Sequence, residues 1–120
     1  MAGTILIIDD SYSMRESVKF ILNGNGYSVI EAADGADGFN KLKNSKIDFV
    51  ITDINMPNLN GINLIKKISS DSEKKMMPIL VLTTESEFEM IRKGRDVGAT
   101  GWVVKPFNNE KLLTAVKKVL

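Results

Sequence analysis

Short apolar runs alternate with longer amphipathic stretches along this chain. The runs are Ile5–Ile8, Tyr27–Ile30, Phe49–Ile51, Ile79–Leu82 and Trp102–Val104. Each is brief, rich in β-branched residues and bounded by polar or turn-forming positions, which predicts strands buried on both faces. Between and after them lie helical patterns. Met14, Val18, Ile21 and Leu22 repeat at the spacing of one helix face, and Gly24 and Gly26 follow as stop signals. Ala36, Phe39 and Leu42 mark a second stripe, and Leu64, Ile65 and Ile68 a third. Met90, Ile91 and Val97 form a weaker fourth, because Gly94 sits inside it at a cost of ~1 kcal/mol relative to alanine. Leu112, Leu113, Val116, Val119 and Leu120 form the clearest, with Asn108 or Asn109 placed to cap its start.

Strict alternation of five strands and five helices predicts an α/β sandwich built on a parallel sheet. Right-handed crossovers then place helices on both faces. No repeat, linker or low-complexity stretch breaks the pattern, so residues 1–120 are expected to form a single domain.

In an open parallel sheet, ligands bind beyond the carboxyl ends of the strands. Asp9 and Asp10 follow the first run, Asp53 the third, Thr83 and Thr84 the fourth, and Lys105 the fifth. Three carboxylates, hydroxyls and an ammonium are therefore expected along one edge of the sheet. Two unit charges about 4 Å apart repel by ~4 kcal/mol at the effective dielectric near a protein surface. The acids need cations, and Lys105 supplies one. A hard divalent ion is the natural second, because carboxylate oxygens are what magnesium prefers.

Composition narrows the chemistry further. The chain has no cysteine and no histidine, which removes disulfides, thiolate nucleophiles, soft metal sites and the commonest general base. A formal net charge of +1 argues against nucleic acid or a membrane surface as partner. With 43% hydrophobic and 26% charged residues, the balance is that of a globular protein. The N-terminus lacks a signal-peptide pattern and no apolar run reaches the ~20 residues of a membrane span, so the expected location is the cytoplasm. A metal, a carboxylate nucleophile, a hydroxyl and a lysine make a site for phosphoryl transfer, in which no separate base is required.

Taken singly, each residue has a plainer role. Asp9 and Asp10 can cap the following helix, Thr83 can do the same for the fourth, and a lysine before proline is commonly just solvated. Met56 and the apolar stripes read as packing residues. The functional reading rests on their coincidence at the ends of different strands.

At these positions the sequence resembles the receiver domains of bacterial two-component response regulators, in particular their single-domain chemotaxis members. The likeness spans essentially all 120 residues. It is carried by Asp9-Asp10-Ser11, by the segment from Asp53 through Asn55, Met56 and Pro57 to Gly61, by Thr83-Thr84-Glu85, and by Gly98 through Trp102 and Lys105 to Pro106-Phe107. The resemblance implies a flavodoxin-like three-layer sandwich with strand order 2-1-3-4-5. It implies that Asp53 is the phosphoacceptor, that Asp10 ligates magnesium directly, that Asp9 holds a metal-bound water, and that Asn55 contributes its backbone carbonyl. It further implies that Thr83 bonds a phosphoryl oxygen as the switch hydroxyl, and that Lys105, aimed by a cis bond to Pro106, pairs with the phosphate. Asn55 and Glu85 occupy the positions that set phosphate lifetime, and the pair is that of rapidly resetting chemotaxis regulators.

Two positions depart from the pattern. Trp102 stands where relatives carry a Tyr, Phe or His aromatic switch; its alternative role is an edge-strand ring packed on the surface. Thr84 stands where a smaller residue is common and is expected to narrow the entrance to the site. The implied partners are a histidine kinase as phosphodonor, a downstream target such as the flagellar motor switch, and a phosphatase. The chain is expected to act as a monomeric switch that assists its own phosphorylation and dephosphorylation, not as a turnover enzyme. No output domain is expected after Leu120, so the signal passes by protein contact. A stand-alone receiver in another phosphorelay, such as sporulation, would have the same residues.

Three rival readings fit these residues less well. A haloacid-dehalogenase-type phosphatase places its nucleophile after the first strand in an Asp-x-Asp pattern, whereas these acids are adjacent. A flavodoxin-like mononucleotide binder needs a phosphate cradle where Asp9 and Asp10 would repel one. A receiver that no longer takes phosphate would have no use for the complete acid–hydroxyl–lysine set.

Overall fold

Apart from Tyr27, which precedes its strand, each apolar run forms part of a strand, and each amphipathic stretch is a helix. The computed structural model describes residues 3–54, 60–74, 76–83, 88–105 and 107–119, with backbone alone for residues 88–91. In chain order the elements are β1 (Thr4–Ile8), α1 (Tyr12–Asn23), β2 (Ser28–Ala32), α2 (Gly35–Asn44), β3 (Phe49–Asp53), α3 (Gly61–Ser70), β4 (Ile79–Thr83), α4 (Phe88–Val97), β5 (Gly101–Val104) and α5 (Asn109–Val119). The strands pair in parallel in the order β2-β1-β3-β4-β5, which is the flavodoxin-like arrangement. Among the described residues, no helix is long and apolar enough to cross a membrane.

Side chains alternate across the sheet with the period of two that a strand imposes. Leu6, Ile8, Val50, Ile79 and Val81 join Leu42, Leu64, Ile65 and Ile68 in one apolar cluster, against α2 and α3. Ile5, Ile7, Phe49, Ile51, Leu80 and Leu82 join Val18, Leu22, Leu112 and Val116 in the other, against α1 and α5. Burying each large side chain contributes ~1.5–3 kcal/mol.

Burial on both faces holds for β1, β3 and β4 but not for the outer strands. In β2, Ser28 is exposed and Val29, Ile30 and Glu31 are half-buried; in β5, Val103 alone is buried. An outer strand has a neighbour on one side only, and its faces are covered less completely. The second strand also runs later than its apolar pattern suggests, through Glu31 and Ala32. Glu31 keeps its place in the ladder because Arg15 and Lys19 of α1 reach its carboxylate.

Local chemistry sets the helix starts. The Ser11 hydroxyl accepts from the Met14 N–H at 3.3 Å, so Ser11 caps α1 and the preceding acids are left for other work. Asp34, Asn60 and Asn108 cap α2, α3 and α5 by accepting from Asp37, Asn63 and Lys111; a cap of this kind contributes ~1 kcal/mol. In α4, Gly94 is buried, yet a methyl group there would meet its nearest neighbours, Ala99 and Ile62, at 3.9 Å. That is ordinary contact. Gly94→Ala is therefore expected to stabilise the fold by ~1 kcal/mol, read as a higher urea midpoint with unchanged slope.

The segment after α3 is tied to α2 at the surface. Lys43 Nζ lies 2.8 Å from Asp71 and 3.0 Å from Glu73. The hydrogen bond from Lys43, with a second from the Glu73 N–H, holds the Asp71 carboxyl below its ordinary value of 3.8. Stability from this lowered group is present above the ordinary value and is lost as pH falls through the lowered one. The stability gap between the wild-type chain and Asp71→Asn is accordingly expected to shrink on acidification, and to be small throughout because water screens the pair. Urea unfolding across acid pH measures it.

Candidate functional site

The carboxyl ends of β1, β3, β4 and β5 meet in one place. Asp9, the residue after β1, continues the ladder by donating its N–H to the Ala32 carbonyl at 3.1 Å. This turns its side chain inward, where it is fully buried. Asp9 Oδ1 accepts from the Ser11 N–H at 2.9 Å and Oδ2 from Lys105 Nζ at 3.1 Å. Asp10 is exposed at the mouth. Asp53 ends β3 and is 8% exposed; its Oδ1 accepts from the Ile54 N–H at 2.8 Å, and its Oδ2 lies 3.7 Å from Lys105 Nζ.

Asp9, Asp10 and Asp53 each offer a carboxylate oxygen, and the three oxygens lie within 4.8 Å of one another. Lys105 bridges two of the acids, leaving the cluster with more negative charge than one ammonium offsets. At such separations the repulsion is ~4 kcal/mol per pair at an effective dielectric of about 20. All-oxygen donors, crowded charge and one exposed member fit a hard dication that keeps some of its water. They would not suit a soft metal.

Thr83 closes β4 one residue beyond Leu82, the register partner of Asp53, and is fully buried. Its carbonyl accepts from the Lys105 N–H at 2.7 Å. The hydroxyl-bearing residue and the lysine are thus fixed to each other through the backbone, beside the acids. Helix α3 begins hard against the end of β3: the Gly61 N–H donates to the Ile54 carbonyl at 2.7 Å. A Cβ on Gly61 would stand 2.4 Å from the Asp53 carbonyl oxygen and 2.6 Å from Ile54 Cα, so this approach requires glycine.

The structure therefore brings together Asp9, Asp10, Asp53, Thr83 and Lys105. Trp102 stands apart from them on the outer strand β5, 38% exposed, beside a groove of about 660 Å³ that Val104, Lys111 and Ala115 also line. Asn55, Met56, Thr84, Glu85 and Pro106 lie outside the described residues. One contributor escaped the sequence reading. Arg15 donates from its guanidinium to the Asp9 carbonyl at 2.6 Å. The available signal was a cation in the first turn of a helix, where an acid is the favoured choice.

A sequence profile of the family described as Response regulator receiver domain matches residues 5–117. The chain is 40% identical to the chemotaxis protein CheY-3 of Vibrio cholerae over 116 residues, 96% of this chain and 89% of that protein. It is 35% identical to the chemotaxis protein CheY of Pseudomonas aeruginosa, with 96% of this chain and 94% of that one covered. The solved structure of chemotaxis protein CheY4 from Vibrio cholerae superposes with a TM-score of 0.95 at 42% identity, and each chain is covered completely.

Proposed function

The chain belongs to the response regulator receiver family, and from that premise we propose that it is a phosphorylation-driven signalling switch with Asp53 as phosphoacceptor. The observation that carries this reading is the meeting of three carboxylates within 4.8 Å with Lys105 Nζ at 3.1 and 3.7 Å from two of them.

An Asp53 carboxylate oxygen forms a bond to phosphorus as the bond to the imidazole nitrogen of a kinase phosphohistidine breaks, and the electron pair leaves with that nitrogen. Asp9, Asp10 and Asp53, with the Asn55 carbonyl, would hold Mg2+, which when bound supplies positive charge to the transferring oxygens. Lys105 sits within reach of the same oxygens and adds a second positive charge. Thr83 donates its hydroxyl to the new phosphoryl group. The backbone bond from Lys105 to Thr83 makes β4 and β5 respond as a unit, which shifts populations at the surface that carries Trp102.

All 120 residues act as one receiver domain in this reading, monomeric and cytoplasmic, and the activity is self-limiting, with Asn55 and Glu85 favouring a short-lived phosphate and Pro106 directing Lys105. The partners are a histidine kinase, a phosphatase and a downstream protein; the chemotaxis relatives favour a flagellar motor component as that target. The test is incubation with acetyl phosphate and Mg2+, borohydride trapping and peptide mapping. Label on Asp53 that requires Mg2+ is the expected result; label elsewhere, or none, overturns it.

A further inference from the structure

Arg15 is placed against the preference of its position. It lies in the first turn of α1, a turn with no acidic residue, where the helix dipole disfavours a cation by ~0.3–1 kcal/mol. Its side chain is only 14% exposed, so most of its hydration is lost as well. Two contacts offset these costs. Its Nε lies 3.3 Å from Glu31 Oε1, and its terminal nitrogen donates to the Asp9 carbonyl at 2.6 Å. Glu31 is itself steadied by Lys19, 3.3 Å from its other oxygen, and the Tyr12 ring lies 5.7 Å from the Arg15 guanidinium carbon.

The contacts converge on one peptide group. Ala32 of β2 accepts from the Asp9 N–H at 3.1 Å, while its neighbour Glu31 holds the Asp9 carbonyl through Arg15. Both backbone groups of Asp9 are therefore pinned to adjacent residues of β2. The Asp9 carbonyl shares a rigid plane with the Asp10 N–H, so pinning it also sets the direction in which Asp10 leaves the sheet. Asp10 is exposed, so the direction of its backbone weighs heavily on where its side chain starts.

We infer that Arg15, oriented by Glu31, is a positioning residue that fixes the Asp9–Asp10 peptide so that both carboxylates meet Asp53 on a divalent cation. This inference rests on the magnesium reading of the site given above. It opposes a purely electrostatic role in sign. A cation that merely neighbours the acids competes with magnesium, and its removal tightens metal binding. A residue that aims the ligands does the reverse, and support of this kind around metal ligands is commonly worth 10- to 100-fold in affinity.

The experiment is a titration of the full chain with Mg2+ alone, followed by the amide resonances of Asp10 and Ile54, in the wild-type chain and in Arg15→Lys, Arg15→Met and Glu31→Gln. Arg15→Lys keeps the charge but loses the planar fork. Both Arg15 variants are expected to bind Mg2+ about tenfold more weakly, and Glu31→Gln to show a smaller loss in the same direction. The Asp10 amide is expected to shift in both Arg15 variants even before metal is added. Urea midpoints taken alongside separate this effect from loss of fold, and Arg15→Lys decides the matter if Arg15→Met does not fold. Unchanged affinity in Arg15→Lys, or tighter binding in a folded Arg15→Met, overturns the positioning role alone. A wild-type chain that binds no Mg2+ overturns the metal reading beneath it.

Discussion

Asp53→Asn is expected to take up no phosphoryl group from acetyl phosphate and Mg2+ under conditions that label the wild-type chain. The amide keeps the size of the side chain and an oxygen able to accept from the Ile54 N–H, a bond of 2.8 Å in the wild-type structure. It lacks the charged oxygen that, in the proposed reaction, would attack phosphorus. Loss of a nucleophile of this kind costs on the order of 10⁴-fold or more in rate. The same change removes one charge from the crowded group of Asp9, Asp10 and Asp53, so in the absence of magnesium the variant is expected to unfold at higher urea than the wild type. Intact-mass measurement and urea unfolding read the two effects separately. Undiminished labelling of Asp53→Asn would remove Asp53 from the reaction.

Gly61→Ala is expected to be the most damaging single-methyl change near the site. The added carbon would sit 2.4 Å from the Asp53 carbonyl oxygen and 2.6 Å from Ile54 Cα, and both are backbone atoms that cannot rotate away. Either α3 withdraws or the end of β3 moves. Overpacking against rigid neighbours costs on the order of 3 kcal/mol. Phosphorylation is expected to slow as well, because the Asp53 carboxylate is bonded to the Ile54 N–H that would be displaced. Gly94→Ala, with 3.9 Å of clearance, is the matched control. A Gly61→Ala chain with wild-type stability and labelling rate would show that α3 yields without effect.

How much of this was legible in the sequence depended on where each residue stands. β1, β3 and β4 were plain because strands covered on both faces need unbroken apolar runs, and the five site residues stood out because each follows an apolar run, Lys105 that of the less covered β5. The late end of β2 was hidden: a charged Glu31 closes an apolar pattern, and its partners Arg15 and Lys19 come from a different element. The sequence offered Asp9 and Asp10 as caps of α1, and Ser11 was passed over although serine caps helices as readily as aspartate. The structure assigns it to Ser11 and leaves Asp9 to Lys105. The close approach at Gly61 was out of reach for the same reason as the Arg15 contact. Both depend on how helices rest against the sheet, which periodicity along one chain does not encode.

The acids of the nest and the ammonium between them are far apart in the order of synthesis. Lys105 is 96 residues from Asp9, beyond an outer strand that is added to β4 alone. In a chain that lacked β5, Asp9 and Asp53 would crowd their like charges without the Lys105 ammonium that lies beside both. Repulsion of ~4 kcal/mol per close pair would penalise such a sheet, and docking of the last strand would relieve it. Docking of β5 is thus expected to steady the two acids, and a chain truncated before it to hold Asp9 and Asp53 without their bridging cation.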